Sequence, residues 1–286
     1  MTRSSDHAWV LLKSGKRLDV LNPHPMAWDD EDLATGLART YRWGGHSKWD
    51  LPLSVAQHSL TVLLLRMRQA RAPLSACERL HALLHDAEEG LLGYDALTPL
   101  KPHLGEGFSR ITERLVRAIA HRYRLPDWTE ESHAAHKVAD RLAAASEAAH
   151  VVGWSRADIR QNLRIKVEPL DIDPVPTPVG LQPWEPWSPT LAASMFLDTL
   201  RELRNQAAEE AAPHRAGVPS YPQPALAGRT FVAVDSGDGM QAIEGEIVGG
   251  VRDEDGTWDL DGVFTVLTDD GELVKVNGWC CLTEVQ

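Results

Sequence analysis

Two neighbouring residues, His85 and Asp86, have side chains that could do chemistry, and Glu89 follows shortly after them. On a helix, His85 and Glu89 are four residues apart and Asp86 and Glu89 are three apart, so all three would lie on one side. An imidazole and two carboxylates at the end of a buried helix are costly unless a cation or a hydrogen-bond network satisfies them. The cluster therefore predicts a metal site or a network of polar side chains.

The residues around this pair predict the helix that would position it. Ser75 and Glu78 have the spacing of a capping box, and apolar residues recur at helical spacing over residues 80–87. Gly90 and Gly93 offer stops at the C-terminal end. We expect one continuous helix that carries the pair through to these glycines.

Other polar residues occur in apolar helical patterns elsewhere in the chain, namely His58, His136 and Asp140. Two imidazoles and two carboxylates suit a divalent first-row metal, which lowers the pKa of water and polarises a phosphoryl oxygen. His136 and Asp140 are four residues apart and share a helix face. We expect His136 to be a core or supporting group and not a ligand.

Composition places the chain among globular proteins. Its 286 residues are 43% hydrophobic, which is enough for one domain with a sizeable core and a smaller second one. We find neither a membrane-spanning apolar stretch nor a secretion signal. Three cysteines, two of them adjacent, make no disulfide framework or CxxC site. We therefore expect a cytoplasmic protein.

The net charge of −12 is unevenly distributed. Residues 226–286 contain 13 acidic and 3 basic residues, whereas residues 1–225 carry a net charge of only −2. Neither part has the basic surface expected of a nucleic-acid-binding protein. A small phosphorylated substrate is compatible with this charge, because a metal and a few local bases can outweigh the mean field.

The order of patterns predicts two domains, the first mainly α-helical and covering residues 1–211. It would contain a β-hairpin at 8–22, a helical core at 29–155, a proline-rich extended strap at 165–189 and a helix at 190–211. A linker at 212–225 would lead to a small acidic all-β domain at 226–286. Short apolar runs separated by Gly- and Asp-containing turns predict an SH3-like barrel there, of unknown role.

Several short strings occur in the order found in one known family. They are Arg42-Trp43, Gln57-His58-Ser59, His85-Asp86-Ala87-Glu88-Glu89, the segment 95–101 (DALTPLK), and Ala139-Asp140-Arg141-Leu142. Together they span about residues 40–150. The sequence resembles the HD-domain metal-dependent phosphohydrolases, which are helical bundles. Within them it is most similar to the YfbR-like 5′-deoxynucleotidases and the related phage dATP triphosphohydrolases.

The resemblance implies a set of metal ligands and catalytic groups. The ligands of one divalent ion (Co, Mn, Zn, Ni, Fe or Mg) would be His58, His85, Asp86 and Asp140. Glu89 would orient or deprotonate the attacking water, and Arg42 would bind the phosphate, for which its planar bidentate donors are suited.

The resemblance also implies the substrate contacts. Trp43 would stack near the sugar and exclude a ribose 2′-hydroxyl, and Asp95 would contact the deoxyribose hydroxyl, with a catalytic role. The remaining contacts would come from Ala96, Leu97, Thr98 and Lys101, together with the ligands His58, Asp86 and Asp140. The chain departs from its relatives at Gln57, where they have Glu, and at Leu97, where they have Pro.

These observations favour a 5′-deoxynucleotidase that converts a deoxynucleoside monophosphate to deoxynucleoside and phosphate. One alternative is a dNTP triphosphohydrolase that releases triphosphate. Another, from a different class, is a non-catalytic nucleotide sensor whose acidic domain recruits a protein. A cyclic-dinucleotide phosphodiesterase is disfavoured because no GYP string follows the His-Asp pair. We expect a homodimer or higher homo-oligomer and no stable binding to nucleic acid or membrane.

Overall fold

A computed structural model describes residues 7–216, 230–235, 241–249, 263–268, 273–277 and 283–284. The chain divides into two compact units, Met1–Pro213 and His214–Gln286. The described part is mainly helical, as predicted. Its helices are α1 (Asp30–Arg39), α2 (Val55–Gln69), α3 (Ala76–Leu83), α4 (Ala87–Leu92), α5 (Gly105–Arg122), α6 (Glu130–Glu147), α7 (Arg156–Gln161) and α8 (Pro189–Ala216).

The predicted N-terminal hairpin is confirmed. Strand β1 (Trp9–Leu11) pairs antiparallel with β2 (Arg17–Asp19), and Trp9 lies opposite Asp19. The Asp19 carboxylate accepts hydrogen bonds from the backbone of Ala8 and Leu21. Leu18 and Val20 then enter the main hydrophobic core, so the hairpin packs against the helices.

Helix α2 is buried over most of its length and carries His58. Ser54 caps it, since its hydroxyl accepts a hydrogen bond from the backbone N–H of Gln57 at 3.2 Å. His58 itself is fully buried. A polar imidazole at such a position requires hydrogen-bond partners or a cation, which the helix brings it to meet.

The expectation of one continuous helix through the His-Asp pair is wrong. The capping box of Ser75 and Glu78 is present, but helix α3 ends at Leu83 and α4 begins only at Ala87. His85 and Asp86 lie in the turn between them. The left-handed residue Gly93 (φ +72°) ends α4, as predicted, whereas Gly90 lies inside the helix.

Position 90 of α4 requires a glycine, because α1 approaches it too closely for a side chain to fit. A Cβ atom on Gly36 of α1 would lie 2.2 Å from the backbone oxygen of Gly90. A Cβ on Gly90 would lie 2.6 Å from the Leu37 side chain. This close contact fixes α4, and with it Glu89, against α1.

Thr129 caps helix α6, since its hydroxyl accepts a hydrogen bond from the Ser132 backbone N–H. The α-helical part ends at Glu147 and continues as a wider π-turn over Ala148–Val152, where the N–H of Gly153 donates to the Ala148 carbonyl. Helical structure therefore continues to Val152, but its winding changes after Glu147.

The proline-rich strap at 165–189 contains no helix or strand before α8 begins at Pro189, as predicted. Trp184 and Trp187 within it are buried, and Trp187 belongs to the main hydrophobic core. Helix α8 runs beyond the predicted limit of residue 211, so the first residues of the expected linker 212–225 are helical. Residues 217–225 lie outside the described residues.

The second unit contains β3 (Thr230–Asp235), β4 (Gln241–Gly249), β5 (Val263–Thr268), β6 (Leu273–Asn277) and β7 (Thr283–Glu284). They form an antiparallel sheet in the order β6-β5-β4-β3-β7. The expected SH3-like barrel remains a prediction, because much of residues 226–286 lies outside the described residues. Among the helices that the structure describes, none is long and apolar enough to cross a membrane.

The contact between α1 and α4 predicts the effect of Gly36→Ala. The added methyl group would overlap the Gly90 backbone oxygen, so the free energy of unfolding should fall by about 1–3 kcal/mol. Denaturant unfolding measures this change.

The control is Gly107→Ala on α5, where nothing lies within 4 Å of the added atom. It should leave stability unchanged or raise it by about 0.5–1 kcal/mol, because alanine is the better helix former. Equal stability of the two variants would contradict the close approach of the helices.

Candidate functional site

The two ring nitrogens of His58 have different neighbours: Nδ1 faces the Glu147 carboxylate and Nε2 faces His85. Its Nδ1 lies 2.6 Å from Oε1 of Glu147, a residue 2% exposed. The pKa of Glu147 is about 2, because the charges of Arg42 and His58 outweigh the opposing effect of burial. The carboxylate is therefore ionised, and His58 donates from Nδ1. Its Nε2 is left as the atom available to other groups.

The turn between α3 and α4 directs His85 and Asp86 to the same place. Nδ1 of His85 donates to the Ala82 carbonyl at 2.9 Å, which leaves its Nε2 free. That Nε2 lies 3.1 Å from Oδ2 of Asp86 and 3.3 Å from Nε2 of His58. Because the helix is interrupted here, the consecutive side chains of His85 and Asp86 both contact the His58 imidazole.

Asp140 reaches the group from helix α6. Its Oδ1 lies 3.6 Å from Nε2 of His58, and the Asp86 carboxylate is also 3.6 Å from that nitrogen. The other oxygen of Asp140 lies 3.6 Å from the Lys137 ammonium. One atom each of His58, His85 and Asp86 lie mutually within 4.8 Å, a grouping that does not include Asp140. The four predicted ligands thus converge, with Asp140 at the edge.

The donor set fits a divalent cation. The two Nε2 atoms face each other at 3.3 Å, and each Nδ1 already donates to an acceptor. If both imidazoles were neutral, each Nε2 would present a lone pair to the other, so the arrangement calls for a positive charge between them, either a proton or a metal ion. A cation between these nitrogens and the nearby carboxylates would satisfy both, and imidazole with carboxylate suits a first-row metal.

The charges around the imidazole affect its pKa in opposite directions. Burial and the Arg42 guanidinium lower the pKa of His58, but the carboxylates of Glu147 and Asp140 outweigh them and raise it to about 9. Burial raises the pKa of Asp86, whereas His85 and other nearby cationic groups hold it well below its usual range. Positive charge is therefore favoured at this position, as a proton or as a metal ion.

Glu89 is buried in α4 next to this group. Oε1 lies 3.5 Å from the Lys101 ammonium, and among the described residues Oε2 has no hydrogen-bond partner. Burial and the carboxylates of Asp86 and Asp95 raise the pKa of Glu89 to about 10. Burial and Asp86 likewise raise the pKa of Glu88 to about 8. At neutral pH, and with no divalent ion beside them, Glu88 and Glu89 therefore hold protons.

Arg42 and Trp43 form part of a short 3₁₀ segment at 42–45 after α1. Arg42 Nη1 lies 3.7 Å from Asp86 Oδ2, and its Nε donates to Glu147 at 2.9 Å. The indole N–H of Trp43 donates to the same Glu147 oxygen at 3.3 Å. Trp43 has left-handed backbone angles (φ +58°), which a non-glycine residue adopts only when its surroundings hold it there.

The segment 95–101 contributes less than predicted to the described contacts. Asp95 is half-buried, and its charge raises the pKa of Glu89 and also acts on Arg42. Lys101 reaches Glu89. Ala96 is buried, whereas Leu97 and Thr98 have exposed side chains. Asp95 and Lys101 therefore interact with Glu89, and Asp95 also with Arg42. The substrate contacts expected from Ala96, Leu97 and Thr98 stay predictions.

Sequence reasoning missed Glu147, which contacts three of the predicted site residues. A signal for it exists, because Glu147 lies seven residues after Asp140 and therefore on the same face of α6. It is also an acidic residue within an alanine-rich run. His136 is buried and packs its ring 4.6 Å from that of His85, and its role as a supporting group stays a prediction.

The departure at Gln57 has a structural reason. Its amide nitrogen donates to the Glu185 carbonyl at 3.2 Å, and its amide oxygen accepts from the Trp187 N–H at 2.9 Å. A glutamine supplies both a donor and an acceptor, whereas an ionised glutamate supplies only acceptors. Gln57 therefore attaches the proline-rich strap to the helix that carries His58.

No protein-family model matches the chain. A curated protein of Rhodobacter capsulatus, described as uncharacterized, is 42% identical over 152 residues. The match covers 53% of this chain and 76% of the relative. Its name gives no activity.

The contacts of Gln57 predict the effect of Gln57→Glu. The carboxylate would face the Glu185 carbonyl, so one partly buried hydrogen bond would be replaced by repulsion, at a cost of about 1–3 kcal/mol in the free energy of unfolding. Detachment of the strap should also speed proteolytic cleavage within residues 165–189.

The matched control is Gln69→Glu on the exposed end of the same helix, which should change stability by at most about 0.5 kcal/mol. If strap cleavage and unfolding are the same in Gln57→Glu as in this control, Gln57 does not hold the strap.

Proposed function

We propose that this chain, which belongs to the same family as the uncharacterized Rhodobacter capsulatus protein, is a metal-dependent phosphohydrolase that acts on deoxynucleotides. The observation that carries the proposal is the convergence of His58, His85 and Asp86, drawn from two separate segments, within 4.8 Å of one another. Asp140, from a third segment, contacts the same imidazole. The order of these residues in the sequence is that of the HD-domain phosphohydrolases.

The fold proposed is accordingly an HD-domain helical bundle with an appended SH3-like barrel. The helical content of the first unit and the meeting of α2, α6 and the α3–α4 turn at one point support the bundle. The antiparallel order of β3 to β7 supports a small all-β domain. The barrel itself and its role are part of the proposal.

The ion would be held by His58, His85 and Asp86, with Asp140 as a further ligand. When bound, a divalent ion lowers the pKa of water and polarises a phosphoryl oxygen. His58 and His85 would contribute Nε2, since their Nδ1 atoms already donate to Glu147 and Ala82. These second hydrogen bonds fix the tautomer and the ring orientation that coordination requires.

Glu89 would accept the proton of the attacking water. Its buried carboxylate lies next to the ligands and has an oxygen without a hydrogen-bond partner among the described residues. The residue must be ionised to act as a base, and Lys101 at 3.5 Å favours the ionised form. Positive charge at the ligand group would favour it further, because it would offset the carboxylates that raise the pKa of Glu89.

Arg42 would bind the phosphate that is transferred to water. The guanidinium has five N–H donors, and its Nε is engaged by Glu147, so donors on the other nitrogens are available to a phosphate. In this position Arg42 would stabilise the charge that develops on the phosphoryl oxygens. Trp43, held beside it, would limit the space around the sugar and favour deoxynucleotides.

The variant Asp86→Asn tests the metal site, because it replaces an ionised ligand by a neutral amide of the same shape. Metal content measured by mass spectrometry should fall from about one ion per chain to almost none. Turnover of deoxynucleotides should fall by at least about 100-fold, because loss of a ligand costs more than the 10–100-fold lost with an outer hydrogen bond.

The matched control for this variant is Asp127→Asn, at an exposed position before α6. It should bind metal and turn over substrate like the unchanged protein. Asp86→Asn with unchanged metal content and unchanged turnover would refute the proposal.

The products of hydrolysis distinguish a monophosphatase from a triphosphohydrolase. We propose monophosphates as the substrates, on the strength of the string DALTPLK at 95–101. Incubation of metal-loaded protein with dAMP should release inorganic phosphate, detected by mass analysis. Release of triphosphate from dATP, with dAMP left intact, would assign the chain to the triphosphohydrolase alternative. Tight nucleotide binding without turnover across Mn, Co, Ni, Zn and Mg would favour a sensor.

A further inference from the structure

A single carboxylate, that of Glu147, accepts hydrogen bonds from three residues far away in the sequence. Oε1 accepts from His58 Nδ1 at 2.6 Å, and Oε2 accepts from Arg42 Nε at 2.9 Å and from the Trp43 indole N–H at 3.3 Å. The Glu147 residue is only 2% exposed. Both oxygens are therefore engaged in a place that excludes water.

The first of these hydrogen bonds fixes how His58 is presented. An acceptor at Nδ1 keeps the proton on that nitrogen and makes Nε2 the nitrogen that can coordinate an ion. Nε2 is the atom that approaches His85 at 3.3 Å and both Asp86 and Asp140 at 3.6 Å. Glu147 lies on the opposite side of the ring, so it supports the imidazole and does not compete for the ion.

The other two hydrogen bonds fix the segment that bears Arg42 and Trp43. This segment has unusual backbone angles at Trp43 (φ +58°) and is followed by two glycines, Gly44 and Gly45, that are also left-handed. Trp43 is held in a conformation that most residues avoid, and its indole bond to Glu147 is one of the contacts that hold it. Without Glu147, the orientation of Arg42 and Trp43 would no longer be tied to that of His58.

Helix α6 supplies two of the three acidic contacts of His58, the third being Asp86. Asp140 lies near Nε2 and Glu147 near Nδ1, and the two residues are two helical turns apart on one face. The α-helical winding ends directly after Glu147, where the π-turn at Ala148–Val152 begins. The helix therefore keeps regular spacing as far as its second acidic contact.

We infer that Glu147 is a positioning residue that holds the metal ligand His58 and the substrate-binding pair Arg42-Trp43 in fixed relation to each other. The part played by Arg42 and Trp43 rests on the function proposed above, whereas the effect on metal affinity requires only that the His58 group binds an ion. Glu147 would act through the residues it contacts and would touch neither ion nor substrate.

The variant that tests this role is Glu147→Gln, which keeps the shape but has one oxygen and one NH₂ group. The NH₂ group would face either the His58 N–H or the Arg42 and Trp43 donors, so one side must lose its acceptor. Co²⁺ affinity, followed by titration of the metal's visible absorption, should fall about 10–100-fold. With dAMP as substrate, KM should also rise.

The matched control is Glu131→Gln, an exposed glutamate in the first turn of the same helix. It should leave Co²⁺ affinity, KM and kcat as they are in the unchanged protein. Long-range ¹H–¹⁵N spectra of the histidine side chains in the Zn²⁺-loaded proteins provide a second measurement. The form of His58 with a proton on Nδ1 and none on Nε2 should dominate in the unchanged protein and lose its dominance in Glu147→Gln.

Failure of this inference differs from failure of the proposed function. If Glu147→Gln is folded and keeps the Co²⁺ affinity and KM of the Glu131→Gln control, the positioning role is wrong and the phosphohydrolase proposal stands. If the unchanged protein binds Co²⁺ but hydrolyses no nucleotide, while Glu147→Gln still binds Co²⁺ more weakly, the positioning of His58 stands and the proposed activity fails. If the unchanged protein binds no divalent ion, both are overturned.

Discussion

Two imidazole nitrogens that face each other at 3.3 Å are the constraint on which the rest of the site depends. Each ring donates its other N–H to a fixed acceptor, Glu147 for His58 and the Ala82 carbonyl for His85. Neither ring can turn away without leaving a buried donor unpaired, which costs about 1–3 kcal/mol. The two Nε2 atoms are thus held together, and a shared positive charge, as a proton or a metal ion, would let both nitrogens engage their lone pairs.

The interruption between α3 and α4 makes this arrangement compatible with adjacent residues. Successive side chains on an α-helix diverge by about 100°, because the helix has 3.6 residues per turn. His85 and Asp86 on a continuous helix would point in different directions, whereas in the turn His85 Nε2 lies 3.1 Å from Asp86 Oδ2. Helix α4 then restarts at Ala87 and is held against α1 by the close approach of Gly36 to Gly90.

The sequence was sufficient to predict features set by local chemistry. The capping box of Ser75 and Glu78, the hairpin and the absence of regular structure in the strap all follow from residues close in the chain. Features that depend on distant contacts were not predicted. In the turn, His85 and Asp86 contact His58 on α2, and His85 also contacts His136 on α6. The need for an amide at Gln57 arises from a strap more than a hundred residues away. Glu147 was missed for the same reason.

The acidic residues around the ligands explain why a cation would be bound and why it would alter the ionisation of the neighbouring glutamates. Burial and mutual repulsion of carboxylates raise the pKa values of Glu88 and Glu89, so in the absence of a cation these side chains hold protons. A divalent ion near Asp86 would reduce that repulsion and displace protons, which makes metal affinity dependent on pH. The same charge excess would thus attract the ion and, once offset by it, leave Glu89 ionised and able to accept a proton from water.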